Sequence, residues 1–201
     1  MSLTLGLLVA AGGVIMGRAL AQRLRPRPGG APEPVVEKPS PSEALEAFPC
    51  HLGDVVVRTA ERDEAWLAGA LIFEEERPVA ALFVAPEAGL DRALFARESV
   101  NDVVWLSPLP IAELALTAEP PHTVDHHGIR FERVRRLPVG VARAGSGAPI
   151  VGDRAVVAEY QGLGPERIVV IAGSERTLAW VGVSLGQREY DVLPGGKTTL
   201  E

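Results

Sequence analysis

From Leu52 to Leu193 the sequence breaks into short β-rich runs separated by turn chemistry, and only Ile111 to Leu116 has apolar spacing that suits a helix. Connections this short leave no room for helical crossovers, so the strands are expected to pair antiparallel. The expected strands are Asp54–Thr59, Trp66–Phe73, Val79–Val84, Val103–Leu106, Ala155–Tyr160, Arg167–Ala172, Thr177–Leu185 and Tyr190–Leu193. Glu74-Glu75-Glu76-Arg77-Pro78 reads as a solvated acidic hairpin turn. Ile129 and Phe131 alternate with Arg130 and Glu132, but Val134 falls out of phase. A β-bulge near Glu132-Arg133 would return the apolar side to one face. The pattern restarts after Glu119-Pro120-Pro121, and each half carries a Trp followed by an aliphatic residue, Trp105-Leu106 and Trp180-Val181. The expected fold is mainly β: an antiparallel domain of two small lobes, 50–121 and 122–196, with a tail at 197–201.

Ahead of this domain, Ser2 to Gly17 contains no charged side chain. Sixteen helical residues span about 24 Å, and extension to Gln22 gives about 31 Å, enough for a hydrocarbon core if Arg18 snorkels. The segment 1–24 is therefore expected to be a transmembrane helix. A cleaved secretory signal would use Ala19-Leu20-Ala21 as its cleavage site, but it would carry basic residues before the apolar run. Here Arg18, Arg23 and Arg25 follow it, as interfacial anchors. By the positive-inside rule that order puts the soluble domain in the cytoplasm, at a bacterial inner membrane. Gly6, Ala10, Gly13 and Gly17 line one helix face, a close-packing surface that suits a homodimer. The stretch 25–49 is a Pro-rich, semi-rigid linker that ends in a single helical turn over Ser42–Ala47, with Ser42 as N-cap.

The net charge of −6 is unevenly spread. Four arginines precede position 28, leaving the remainder with 16 basic against 26 acidic residues. An acidic domain argues against nucleic acid as partner. Cys50 is the only cysteine, so no intrachain disulfide or thiolate metal cluster can form. The preference for Arg over Lys, with abundant Ala, Gly and Pro, is associated with GC-rich bacterial genomes.

Five groups invite a chemical reading. His122, Asp125, His126 and His127 are metal-capable, but adjacent residues of an extended segment face opposite ways, so His126 and His127 are expected not to share an ion. Pro121 and Gly128 bracket them as a polar loop between the lobes. The Glu74–Glu76 triplet fails as a cation site for the same alternation. Cys50-His51 lacks an orienting carboxylate for nucleophilic chemistry. Gly195-Gly196-Lys197-Thr198-Thr199 ends like a phosphate-binding loop, but Asp191 stands where the first Gly is required. Arg130, Arg133, Arg135 and Arg136 form a basic cluster interrupted by Glu132, best read as a solvated strand face.

Leu52-Gly53-Asp54, Val104-Trp105-Leu106, Gly128-Ile129-Arg130-Phe131, Glu159-Tyr160 and Leu193-Pro194-Gly195-Gly196 together resemble the bacterial domain-of-unknown-function family numbered 4178, over Leu52 to Gly196. The resemblance implies a β-rich domain without established activity, in a family often encoded near membrane-stress genes. It supplies no catalytic residues. With no catalytic set, cofactor or metal site expected, the reading is a non-enzymatic interaction or scaffold domain, tethered to the bilayer, that engages a protein partner through sheet edges. The alternative is an enzyme or small-ligand binder with a site between the lobes, using Asp125, His126 or Glu159.

Overall fold

The computed structural model describes residues 40–86, 91–98, 100–114 and 119–195. The expected membrane helix lies outside them, with Gly6, Ala10, Gly13, Gly17, Arg18, Arg23 and Arg25, as do the linker up to residue 39 and the 197–201 tail. Among the described residues no helix is long and apolar enough to cross a membrane.

Twelve strands follow a short helix. They are β1 (Val55–Arg58), β2 (Glu64–Trp66), β3 (Gly69–Glu74), β4 (Pro78–Ala85), β5 (Arg92–Arg97), β6 (Val103–Leu109), β7 (Thr123–His126), β8 (Ile129–Gly145), β9 (Arg154–Gln161), β10 (Glu166–Gly173), β11 (Thr177–Leu185) and β12 (Tyr190–Leu193). All pairings are antiparallel, as the short connections require. In the large sheet the order is β3-β4-β5-β6-β11-β10-β9-β8, and β3 pairs back onto β8 from Gly69↔Gly145 to Glu74↔Gly140. That last pairing closes an eight-stranded barrel. β7 extends the sheet as a hairpin on the first residues of β8. A separate sheet has the order β12-β1-β2.

The two expected lobes are therefore one barrel. β6, from the first half, pairs with β11, from the second, and β3 pairs with β8. The boundary at 121/122 falls between strands of a single closed sheet. The two Trp-aliphatic pairs also occupy different environments: Trp105 lies outside the barrel wall and Trp180 inside it.

Strand alternation sorts the core into three layers. The lumen holds Leu71, Phe73, Leu82, Phe95, Leu106, Val157, Val169, Ile171 and Trp180, with Ala148 and Val151 of the β8–β9 connection added at one end. Eight strands leave an interior that side chains can fill, and here they fill it. Outside β3 to β6, a second cluster joins Ala70, Ile72, Phe83, Leu94 and Trp105 to Val56 and Ala65 of the small sheet. Strands β3 and β4 are thus buried on both faces, which explains their near-continuous apolar sequence. Outside β9 to β11, a third cluster joins Ala158, Tyr160, Ile168 and Val170 to Val124, Phe131 and Leu114. Each large aliphatic or aromatic side chain so buried contributes about 1.5–3 kcal/mol.

Two boundaries move relative to expectation. Helix α1 (Pro41–Ala44) is capped by Ser40, not Ser42; Ser40 and Glu43 form a reciprocal capping box with Pro41 in the first turn. A 3₁₀ turn, Leu45–Ala47, follows, and Ala44, Leu45 and Phe48 are buried in the second cluster. The end of the expected linker therefore belongs to the folded domain. The bulge is present, displaced by a residue: the β8–β9 register slips between Arg133 and Arg135. Its extra residue, Val134, stays 58% exposed instead of rejoining an apolar face.

The motifs Leu52-Gly53-Asp54 and Leu193-Pro194-Gly195 meet in space. Buried Asp54 accepts hydrogen bonds from the backbone N–H groups of His51 (2.8 Å) and Gly195 (3.0 Å), sewing the start of β1 to the end of β12. In the barrel wall, a Cβ at Gly182 would fall onto the Trp105 carbonyl oxygen, whereas one at Gly140 would meet only the Glu74 carbonyl at 3.6 Å. Gly182→Ala should therefore cost about 1–3 kcal/mol in urea unfolding. Gly140→Ala should stay within about 0.5 kcal/mol of the parent.

Candidate functional site

Luminal alternation continues to one mouth of the barrel, where it delivers charge. Glu159 follows Ala155 and Val157 on β9, Arg135 precedes Leu137 on β8, Arg97 follows Phe95 on β5, and Arg167 precedes Val169 on β10. β5 and β9 stand on opposite sides of the barrel, so Arg97 and Glu159 approach across its axis. Arg97 Nε lies 4.0 Å from Glu159 Oε2, and Arg135 Nη1 3.9 Å from Oε1. Both distances allow Coulomb attraction but are too long for hydrogen bonds. Arg167 donates instead to the carbonyls of Gly164 and Glu166, each at 2.9 Å. Glu159 is only 8% exposed, and its Oε1 has no hydrogen-bond partner.

Burial pushes the Glu159 carboxyl above the usual glutamate range, against the opposing pull of Arg97, Arg135 and Arg167. The rim outside is mixed in sign. A groove of about 580 Å³ is lined by Glu75, Arg77, Arg97, Glu98 and Arg135, with Arg77 paired to Glu98 at 2.6 Å. At the opposite mouth a groove of about 450 Å³ is mostly apolar, lined by Val84, Pro86, Pro108, Leu178 and Trp180, with Asp91, Arg92 and Arg176 also in its wall.

A second constellation sits on the β7–β8 hairpin. His126 pairs with Ile129, leaving His127-Gly128 as a two-residue turn. Both turn residues have positive φ, +49° at His127 and +78° at Gly128, as a type I′ turn requires. His127 has therefore left the extended backbone, and alternation no longer applies to it. Its ring meets that of His126 with centroids 4.1 Å apart. This corrects the expectation that the two rings face apart, and it replaces the expected loop by a strand and a tight hairpin. From the 3₁₀ turn Ile111–Leu114, Glu113 brings Oε2 to 3.7 Å from His126 Nδ1. Burial and the neighbouring His127 hold His126 below the ordinary histidine range, while Glu113 pulls the other way.

The other cluster members lie elsewhere. Asp125 pairs with Arg130 at 3.3 Å, and the His122 ring meets Arg133 at 3.3 Å. The four arginines expected as a solvated strand face each have a partner: Arg130 with Asp125, Arg133 with the Pro120 carbonyl (2.6 Å), Arg135 with Glu159 and Arg136 with Glu119 (2.8 Å). Tyr160 donates to the Pro121 carbonyl, which fixes the same loop. Cys50 is fully buried, and burial, with a smaller effect from Asp54, pushes its thiol up to about 12. Such a thiol is chemically inert at neutral pH.

The outer face of the small sheet is a third feature. Val56 and Ala65 turn towards the barrel, which leaves Leu193, Val55 and Trp66 in register on the other side. Trp66 is 55% and Leu193 54% exposed. The next row on that face is Asp191, Val57 and Glu64. Barrel closure leaves β2, β12 and β7 as edge strands among the described residues, together with the stretch of β8 between its β7 and β3 pairings, residues 134–139. Comparison with known protein families, curated proteins and solved structures found no match.

Glu113, Arg97, Arg167 and Trp66 escaped the sequence reading because each is distant in sequence from the group it joins. Arg97 and Arg167 carried a usable signal: each continues the luminal parity of an apolar strand. A group whose folded pKa is raised stabilises the protein below its unfolded value and loses that contribution as pH rises through the folded value. Relative to Glu159→Gln, the parent should therefore lose stability as pH rises above the ordinary value of 4.5. Chemical denaturation of both proteins from pH 4 upward, in about half-unit steps, measures the difference.

Proposed function

We propose that the chain is a non-enzymatic interaction module whose barrel presents the small β12-β1-β2 sheet to a protein partner. The observation that carries this reading is the Leu193–Val55–Trp66 row, with Leu193 and Trp66 exposed and Val55 half-buried between them, beside the Asp191–Val57–Glu64 row. An apolar strip with an aromatic at its edge and carboxylates alongside fits an extended segment of apolar and basic side chains, held by edge hydrogen bonds and side-chain contacts. The acidic balance of the domain favours the same partner chemistry. A filled lumen supports this reading over ligand carriage inside the barrel.

The tether belongs to the same proposal. Ser2–Gly17 as a membrane anchor, with Arg18, Arg23 and Arg25 on its cytoplasmic side, would display the module at the inner face of a bacterial membrane. The resemblance to the 4178 family is consistent with such a role and adds no chemistry. The mixed-charge mouth around Glu159 supports a second reading, binding of a small polar ligand, because a buried carboxylate oxygen there has no hydrogen-bond partner.

Photo-crosslinkers placed at Trp66 or Leu193 of the full chain in cells should yield a defined protein adduct, captured through an apolar and basic segment. A crosslinker at Leu163, exposed on the β9–β10 turn, should not. Equal labelling at all three positions, or none at Trp66 and Leu193, would refute the module. The Trp66→Ser, Leu193→Ser double variant should lose the partner while keeping each substitution's stability cost near 0.5 kcal/mol, as expected for exposed sites.

A further inference from the structure

We propose that Glu113, His126 and His127 form a binding site for a zinc-class divalent transition-metal ion at the tip of the β7–β8 hairpin. One potential ligand atom from each lies within 4.8 Å of the other two, the one such group of three among the described residues. Bonds of about 2.0–2.1 Å to a tetrahedral ion place ligand atoms about 3.3 Å apart. The Glu113–His126 separation of 3.7 Å is already close to that figure. Glu113 and His127 are exposed, so their side chains have room to rotate towards a shared ion.

The framework for such a site is built into the fold. The turn holds the His127 backbone at φ +49°, a conformation that costs a non-glycine residue energy and that Gly128 helps the chain adopt. The rings of His126 and His127 are consequently held against one another instead of on opposite faces. Glu113 is positioned from the other side by Leu114, which packs with Val124 and Phe131 in the same apolar cluster that anchors the hairpin. Both halves of the site thus stand on one piece of core. Two imidazoles and a carboxylate form a nitrogen and oxygen donor set of borderline softness, suited to zinc, nickel or copper and poorly suited to calcium or magnesium. Three protein ligands leave at least one coordination position open, for water or for a donor from a partner.

The competing account is an ordinary carboxylate–histidine ion pair beside a ring contact, and it predicts no metal affinity. Zinc titration of the full-length, untagged chain, read by competition with a chromogenic chelator, separates the two. One equivalent should bind the parent. His127→Gly, which keeps the positive-φ turn, should weaken binding at least tenfold, Glu113→Gln should weaken it measurably, and His122→Ala should leave it unchanged. The far-ultraviolet circular dichroism of each variant verifies the fold. Absence of binding by the folded parent, or equal binding by His127→Gly, would overturn the site. Binding lost in His127→Gly but untouched in Glu113→Gln would also overturn it as the three-ligand site proposed.

Discussion

The pairing of β3 with the last third of β8 is the interaction on which the rest of the molecule depends. It joins residues about 70 positions apart and turns an open, edge-exposing sheet into a barrel. The strands cross closely there. A Cβ at Gly69 would fall on the Ser146 carbonyl, and Gly145 sits at φ +68°, a conformation that favours glycine. β8 can take part because its 17 residues serve three partners in turn, β7 at the start, β9 in the middle and β3 at the end. The slip at Val134, near the start of the β9 pairing, changes the parity of the strand. Before it Ile129 and Phe131 face the outer cluster, and after it Leu137, Val139 and Val141 face the lumen.

Closure also decides where chemistry can occur. Once the lumen is filled, only the mouths and the added layers are accessible. One mouth carries Glu159 with its guanidinium neighbours, and the other is mostly apolar. The β7–β8 hairpin and the 3₁₀ turn bring two histidines and a carboxylate together on one outer face. The small sheet, fastened over β3 to β6 by Val56, Ala65 and the Arg58 guanidinium over the Trp105 ring at 5.7 Å, presents an apolar row on another. The barrel is the rigid support, and each candidate surface is an addition to it.

Much of this was legible in the residues. Expected strands at Asp54–Thr59, Ala155–Tyr160, Arg167–Ala172, Thr177–Leu185 and Tyr190–Leu193 coincide with observed elements to within a residue or two at their ends, because alternation and turn residues are local signals. β5 was missed because Arg92 and Arg97 bracket a short run that lacks β-branched residues. The single barrel was missed for a different reason. Closure is set by a pairing between Gly69–Glu74 and Gly140–Gly145, and nothing local in either segment names the other. The prolines at 120 and 121, expected to mark a lobe boundary, instead shape a loop whose carbonyls accept from Arg133 and Tyr160. The histidine pair departs from expectation because extended alternation does not hold for a residue that adopts positive φ.

Native-state hydrogen exchange of the backbone amides tests the single closed barrel most directly, because exchange free energies report which segments open together. The account predicts that slowly exchanging amides of β3, of residues 140–145 in β8 and of β9 to β11 share one opening free energy, equal to that of global unfolding. Two distinct values, one for 55–109 and another for 123–193, would mean that the halves unfold separately and would contradict closure.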